Sequence, residues 1–397
     1  MLFDVQRLPG DPILELMAAF RADQDPRKVD LGVGVYQDDD GHTPVVGAVA
    51  NAEAAILAAQ TTKSYVGIAG DEVFNRTMTE LLFGDEHTVV ADGRVVTVQS
   101  TGGSGGLRVA GELLRKLRPD SKVWLTSPTW PNHRPLLEAA GLQLDTVRYY
   151  DQLSSTLDFD GFMQDVQSIP AGDTLLLHGC CHNPTGADLT PAQWQQIAEV
   201  CHERHILPFI DTAYQGFAQG LDADAEGTRI MAAVVPELIT VSSCSKNFGL
   251  YRERVGALSV ITASAAHTAA IKTHILKTVR AMISMPPDHG ARVVGQILSS
   301  PELRAAWLAE LDDMRTRLAD QRRAFVAALP ETLQRRFAFV ADQYGMFSLL
   351  GLTPDDIQTL RDEWHLYIVG SSRVNVAGLT AAKVSYIAEA LGATLAS

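Results

Sequence analysis

The sequence predicts an α/β protein: a large domain built on a mostly parallel sheet between helices, with a smaller α/β domain beside it. Three observations carry this. Short, continuous apolar runs recur at 95–99, 123–125, 174–177, 207–210 and 238–241, and unbroken apolar strands mark a sheet covered on both faces. Helical spacing alternates with them, as in Leu107, Val109, Leu113, Leu114 and Leu117, which is the order of a parallel sheet with crossover helices. After Pro301 the pattern changes to one long amphipathic helix followed by shorter alternating elements.

Each element has a local reason. Pro9-Gly10-Asp11-Pro12 is turn punctuation before an amphipathic stretch at 13–21. Thr190 followed by Pro191 caps a helix over 190–205 with Trp194, Ile197 and Val200 on its apolar face. Trp307, Leu308, Leu311, Met314, Leu318 and Phe325 give the long helix its stripe over 302–329. Beyond it the expected order is strand (337–340), strand (346–350), helix (354–364), strand (366–369) and helix (380–395). The N-terminal segment has too few strands to fold alone and is expected to dock on this smaller unit. The expected division is an arm and part of the small domain over 1–44, the large domain over 45–312 and the small domain over 313–397.

Composition narrows the function. The 397 residues are 46% hydrophobic and 20% charged, a globular balance with enough chain to bury a core unaided. The 33 basic and 47 acidic residues give a net charge of −14, which disfavours nucleic acid and anionic membranes as partners. Residues 1–7 lack the basic start and apolar run of a signal peptide. The stretch 255–271 carries Ser259, Thr262, Ser264, His267 and Thr268 and is too short and polar for a membrane span. Cys180, Cys181, Cys201 and Cys244 read as reduced thiols of a cytoplasmic protein.

Several clusters can carry chemistry. Ser242-Ser243-Cys244-Ser245-Lys246-Asn247 follows an apolar strand, and Arg254 lies eight residues after Lys246. A lysine there can form a Schiff base while hydroxyls and an arginine hold a phosphate; a solvated loop is the plainer alternative. Thr101-Gly102-Gly103-Ser104-Gly105-Gly106 is a glycine-rich entry to a helix, either a phosphate cradle or a tight turn. Its spacing matches neither the dinucleotide fingerprint nor the P-loop. Asp211 ends a strand, where ligands of open α/β sheets bind, unless it caps a helix. Trp130 can stack on a planar group or fill the core. Arg373 stands among apolar residues, snorkelling or awaiting a carboxylate. His178, Cys180, Cys181 and His182 invite a zinc reading. Adjacent strand residues face opposite ways and no second ligand pair stands elsewhere, so no metal is expected. Jointly the other clusters supply what pyridoxal 5′-phosphate (PLP) requires.

On these residues the chain resembles the class I aminotransferases of the aspartate/aromatic subgroup, with PLP fold type I. The resemblance runs through Asp11-Pro12-Ile13-Leu14, 31–36, 127–133, 178–186, 213–217, 243–254, Gly345-Met346-Phe347-Ser348 and 373–378. It implies that Lys246 holds PLP as a Schiff base and then serves as base, and that Asp211, buttressed by His133, pairs with the pyridinium nitrogen. It implies Tyr214 and Asn183 on the phenolate oxygen, Trp130 on the ring, and Gly103, Ser104, Ser243, Ser245 and Arg254 on the phosphate. Gly34, Asn183 and Arg373 would hold the substrate α-carboxylate. Tyr65 would reach the phosphate and Arg280 a distal carboxylate from a partner subunit, making an obligate homodimer.

The implied reaction is ping-pong transfer of an amino group from aspartate or an aromatic amino acid to 2-oxoglutarate. Two carboxylate-binding arginines argue against a PLP lyase or decarboxylase, and Lys246, Asp211 and Arg254 together against a silent binding protein. A nicotinamide dehydrogenase fails for want of a dinucleotide fingerprint. Positions that separate the two substrate preferences are mixed. Val35 and Thr43 resemble aspartate enzymes, Ser104 resembles aromatic ones, and Gln37, Ser64 and Met285 match neither. Ile283-Ser284-Met285-Pro286-Pro287 also departs from the usual run, which has an aromatic residue and a second Ser or Asn there.

Overall fold

A computed structural model describes residues 5–8 and 10–395. Residues 1–4 of the start read against a signal peptide, and Pro9 of the first turn signal, lie outside them. In chain order the strands are β1 (Val29–Asp30), β2 (Val95–Thr101), β3 (Lys122–Ser127), β4 (Gln143–Arg148), β5 (Tyr150–Asp151), β6 (Thr156–Leu157), β7 (Thr174–His178), β8 (Leu207–Thr212), β9 (Leu238–Ser243), β10 (Val255–Ile261), β11 (Phe347–Leu349), β12 (Leu366–Tyr367) and β13 (Arg373–Asn375).

Seven of them form one sheet in the order β2-β10-β9-β8-β7-β3-β4. The pairs from β9 through β8, β7 and β3 to β4 are parallel. β10 runs antiparallel to both β2 and β9. Every residue of β7, β8, β9 and β10 is buried, as a sheet covered on both faces demands. Alternate side chains go to opposite faces. Leu176 packs with Leu107, Ala110 and Leu113 of the Gly102–Leu117 helix, while Leu175 and Leu177 pack with Phe162, Trp194 and Met231 on the other side.

The Pro301–Ala328 helix leaves this layer and passes position 312 without interruption. Its Trp307 is fully buried, stacks on Phe248 at 4.4 Å between centroids and donates to the Asn247 carbonyl at 2.7 Å. The second core gathers around this helix and includes Phe325, Phe337, Val340 and Leu391. β1, in the N-terminal segment, pairs in parallel with β12.

Some expectations need correction. The strand expected over 337–340 is helical, divided between Glu331–Phe337 and Phe339–Asp342. Phe337 and Val340 are both fully buried, and their spacing of three serves a helix face better than alternation would. The helix expected from 380 starts at Val384. The glycine turn at 102–106 is already the first turn of the Gly102–Leu117 helix. The stretch 255–271 resolves into β10 and the start of the Ala265–Ile283 helix. Among the described residues no helix is long and apolar enough to cross a membrane.

Candidate active site

A cavity of about 230 Å³ opens at the carboxyl ends of the parallel strands, where open α/β sheets bind ligands. β8 delivers Asp211, and Ala213 and Tyr214 follow it. β9 ends at Ser243, and the turn beyond brings Ser245 and Lys246 to the wall. Gly103 and Ser104 come from the first turn of the Gly102–Leu117 helix. Trp130, Asn183 and Arg254 join them from the set that the sequence singled out, whereas Gly34 and Arg373 do not line the space; Leu107, His178, Cys180 and Tyr251 do.

The anion end is built by backbone geometry. Because β10 is reversed, its first residue Val255 lies beside Thr101 at the end of β2, and Gly256 lies beside Ser243 at the end of β9. Arg254 therefore enters the cavity next to the helix N-terminus. Gly102 has φ +71°, and a Cβ there would lie 2.6 Å from Arg254 Nη2, so glycine is required. Thr101 gives this helix no side-chain cap, which leaves its first N–H groups free for an anion. Ser243 Oγ donates to Ser245 Oγ at 3.2 Å beside it.

Asp211 is buried and Lys246 beside it is half-buried. Burial pulls the lysine amine down to about 8; Asp211 opposes this, and Arg254 and Arg373 add to it. Burial would raise the Asp211 carboxyl, but the hydrogen bond to His133, with the electrostatic pull of His133, His178 and Lys246 around it, turns the net shift downward. His133 Nε2 sits 3.0 Å from Asp211 Oδ2 and is fully buried. The Thr129 hydroxyl joins His133 Nδ1 at 2.8 Å to His178 Nε2 at 3.1 Å. Burial, then the neighbouring His133, hold His178 down to about 3, so it is neutral at pH 7. Burial raises the Tyr214 phenol, which keeps its proton and can donate. Neither Thr129 nor the His178 contact was singled out for the cofactor site. The 127–133 and 178–186 motifs held both residues, but nothing local signals a bond across 49 positions.

Arg373, on β13, is 4% exposed. It donates to the Gly32 carbonyl at 2.8 Å and to Asn183 Oδ1 at 3.5 Å, and lies 4.2 Å from the Phe347 ring centroid. Its Nε has no partner, and it forms no ion pair with a described residue. A buried cation without a counter-ion costs several kcal/mol, which a bound carboxylate would offset. Gly34 stands nearby; a Cβ on it would be 3.6 Å from Phe347 Cζ. Tyr65 is 94% exposed and Arg280 is exposed, and neither lines the cavity of its own chain.

The reason given against zinc fails in its geometry. Cys181 has φ +50°, so the strand has ended and alternation of faces no longer applies. The Cys180, Cys181 and Asp224 ligand atoms lie within 4.8 Å of one another. The Asp224 carboxylate, however, already accepts from the N–H groups of Gly216, Ala218 and Gln219.

The family model for class I and II aminotransferases matches residues 26–391. The chain belongs to that family. It is 47% identical over 396 residues to the aspartate aminotransferase of Salmonella typhi, with 100% of each chain covered. It is 44% identical over 392 residues to the aromatic-amino-acid aminotransferase of Paracoccus denitrificans, covering 98% of this chain and 99% of that one. Its fold matches the aromatic-amino-acid aminotransferase of Burkholderia pseudomallei, covalently bound to pyridoxal phosphate, with a TM-score of 0.96, 41% identity and 100% of both chains covered. The aminotransferase is therefore PLP-dependent, and its donor set fits the cofactor: an amine with lowered basicity, a buried carboxylate, an open helix N-terminus beside an arginine, and an aromatic wall.

The shifted amine makes one expectation direct. A neutral amine is the nucleophile, so the rate at which cofactor-free aminotransferase captures PLP should rise about tenfold per pH unit below a midpoint near 8 and level off above it. Stopped-flow absorbance between about pH 6 and about pH 10 measures this. A midpoint near the ordinary lysine value, about 10.4, would show that the amine is not held as described.

Proposed function

We propose that this aminotransferase moves the amino group of aspartate, tyrosine and phenylalanine to 2-oxoglutarate in two half-reactions. The observation that carries the reading is the cavity itself, in which Lys246 and the buried Asp211 share the wall with Asn183, and the Arg373 guanidinium, without an ion pair among the described residues, reaches that Asn183. PLP, when bound, supplies a conjugated sink for the electrons of the substrate Cα–H bond. Gly103, Ser104, Ser243, Ser245 and Arg254 hold its phosphate, and Trp130 covers its ring. Asp211, fixed by His133, keeps a proton on the ring nitrogen; Tyr214 and Asn183 donate to the phenolate oxygen. With the cofactor and substrate in place, Lys246 Nζ would be the base that takes the proton from Cα. Arg373, with Gly34 and Asn183 beside it, grips the α-carboxylate as a two-pronged donor.

We place two copies of the chain around each cavity, with Tyr65 and Arg280 reaching the partner's site. Supporting this are the exposure of both residues, the absence of any buried residue in the Pro12–Ala22 helix, and the exposed Leu14, Val45, Leu57 and Ile283. Four free, buried thiols support a reducing, cytoplasmic setting. The division at 44 and 312 remains part of this reading.

The mixed specificity positions underlie the dual donor range. Arg280 would pair with the distal carboxylate of aspartate or 2-oxoglutarate and swing aside for a ring. Gln37, Ser64 and Met285 are uncharged, which lowers the desolvation cost of seating that ring. Losing one charge-assisted pair costs about 1.5–3 kcal/mol. Arg280→Leu should therefore slow the aspartate and 2-oxoglutarate half-reactions by about one to two decades and leave that of phenylalanine nearly intact. A panel of donors with 2-oxoglutarate, followed by keto-acid formation, tests the range. Wild-type inactivity on tyrosine and phenylalanine would sink it, and equal losses on aspartate and phenylalanine would remove Arg280 from its role.

A further inference from the structure

Arg322 is 1% exposed on the Pro301–Ala328 helix, is not among the residues that line the cavity, and forms no ion pair with a described residue. A guanidinium buried without a carboxylate is costly, so its contacts must be organising something. They converge on one turn. Nη1 donates to the Val340 carbonyl at 3.1 Å and to Ser348 Oγ at 2.6 Å. Nη2 donates to the carbonyls of Tyr344, Gly345 and Phe347 at 3.0, 2.9 and 2.8 Å.

That turn touches both halves of the carboxylate grip. Phe347 opens β11, which pairs with β13 so that Leu349 lies opposite Arg373, and the Phe347 ring supports the Arg373 guanidinium at 4.2 Å. On its other side, Tyr344 N donates to the Gly186 carbonyl at 2.9 Å. A Cβ on Gly186 would lie 2.5 Å from the Phe347 carbonyl oxygen. Gly186 closes the loop that carries Asn183, whose first N–H groups, at Cys181 and His182, are held by the half-buried Asp188 at 2.7 and 2.8 Å.

We propose that Arg322 is a positioning residue for substrate: by gathering the 340–348 turn it fixes the distance between Arg373 and Asn183, and so the affinity for the α-carboxylate common to every donor and acceptor. This deepens the functional reading above and rests on Arg373 holding that carboxylate.

The test compares Arg322→Lys, Ser348→Ala and Arg373→Lys in the PLP-loaded enzyme, by steady-state kinetics on aspartate, phenylalanine and 2-oxoglutarate, with the cofactor's visible spectrum and Tm recorded. Lysine offers a point charge in place of a fork, and misplacement of a grip by about 1 Å costs about 100-fold. Arg322→Lys should raise KM by about 10- to 100-fold for all three substrates alike, with kcat within about twofold and the spectrum unchanged. Ser348→Ala, which removes one acceptor, should raise the same KM values about three- to tenfold and decides the matter if Arg322→Lys does not fold. A lowered Tm with KM unchanged would show a merely structural role. Unequal shifts for aspartate and phenylalanine would likewise overturn the proposal, since they would locate the effect at the side-chain end. If Arg373→Lys raises KM and the other two variants do not, the positioning role alone is wrong. If Arg373→Lys leaves KM unchanged, the carboxylate reading falls and takes this proposal with it.

Discussion

Lys246→Ala is expected to lower turnover by at least about 10⁴-fold, because on the function proposed above one side chain would supply both the covalent attachment and the proton carrier. Lys246 is the cavity's amine, and Asp211, Arg254 and Arg373 are the charged groups acting on it. The variant should still hold PLP, since Arg254, the open helix N-terminus at Gly102, Ser243 and Trp130 are untouched. Its visible band should shift, and borohydride treatment should fix no cofactor to the chain. A borohydride-stable label on the variant, or a spectrum like that of the wild type, would take the attachment away from Lys246.

Asp211→Ala should reduce turnover by about 10²- to 10⁴-fold, the range expected when one member of a buried charged pair is removed. Two effects add. The ring nitrogen loses its counter-charge, and His133, fully buried, loses its partner at 3.0 Å. The sign for Lys246 also follows, because Asp211 is the group that holds the amine up against burial. Without it the amine should titrate below about 8. PLP affinity should fall far less than turnover, as the phosphate contacts remain. Near-normal kcat in the variant would show that the pyridinium pairing is misassigned.

How legible all this was depends on where each signal lives. Lys246 and Asp211 stood out because apolar strands end directly before them, and in such folds strand ends are where ligands bind. β4 escaped notice since its sequence, Gln143 to Arg148, is polar and only one of its residues, Val147, is buried at the sheet edge. The 337–340 run misled because Phe and Val favour strands locally, while packing on the long helix decided otherwise. The Thr129–His178 contact was invisible because parallel pairing of β3 with β7 creates it. Arg322 gave no sign either. It stands beside Gln321 and Arg323, in a stretch that reads as the wet face of a helix. Tyr65 and Arg280 could be assigned by resemblance, yet one chain alone leaves both facing solvent.

The reversal of β10 has a consequence for what lengths of chain the enzyme tolerates. Lys246 and Arg254 are separated by a single short loop whose two ends are pinned in the sheet, at Ser243 by β9 and at Val255 by β10. On the proposed function that loop would work as a pair of calipers, setting the span from attachment point to phosphate. Insertions elsewhere on the surface meet only a slowly rising entropic cost. One residue added or removed between these two positions changes the reach by about 3.3–3.6 Å at full extension, more than the length of a hydrogen bond. The jaws would then no longer close on the molecule they measure.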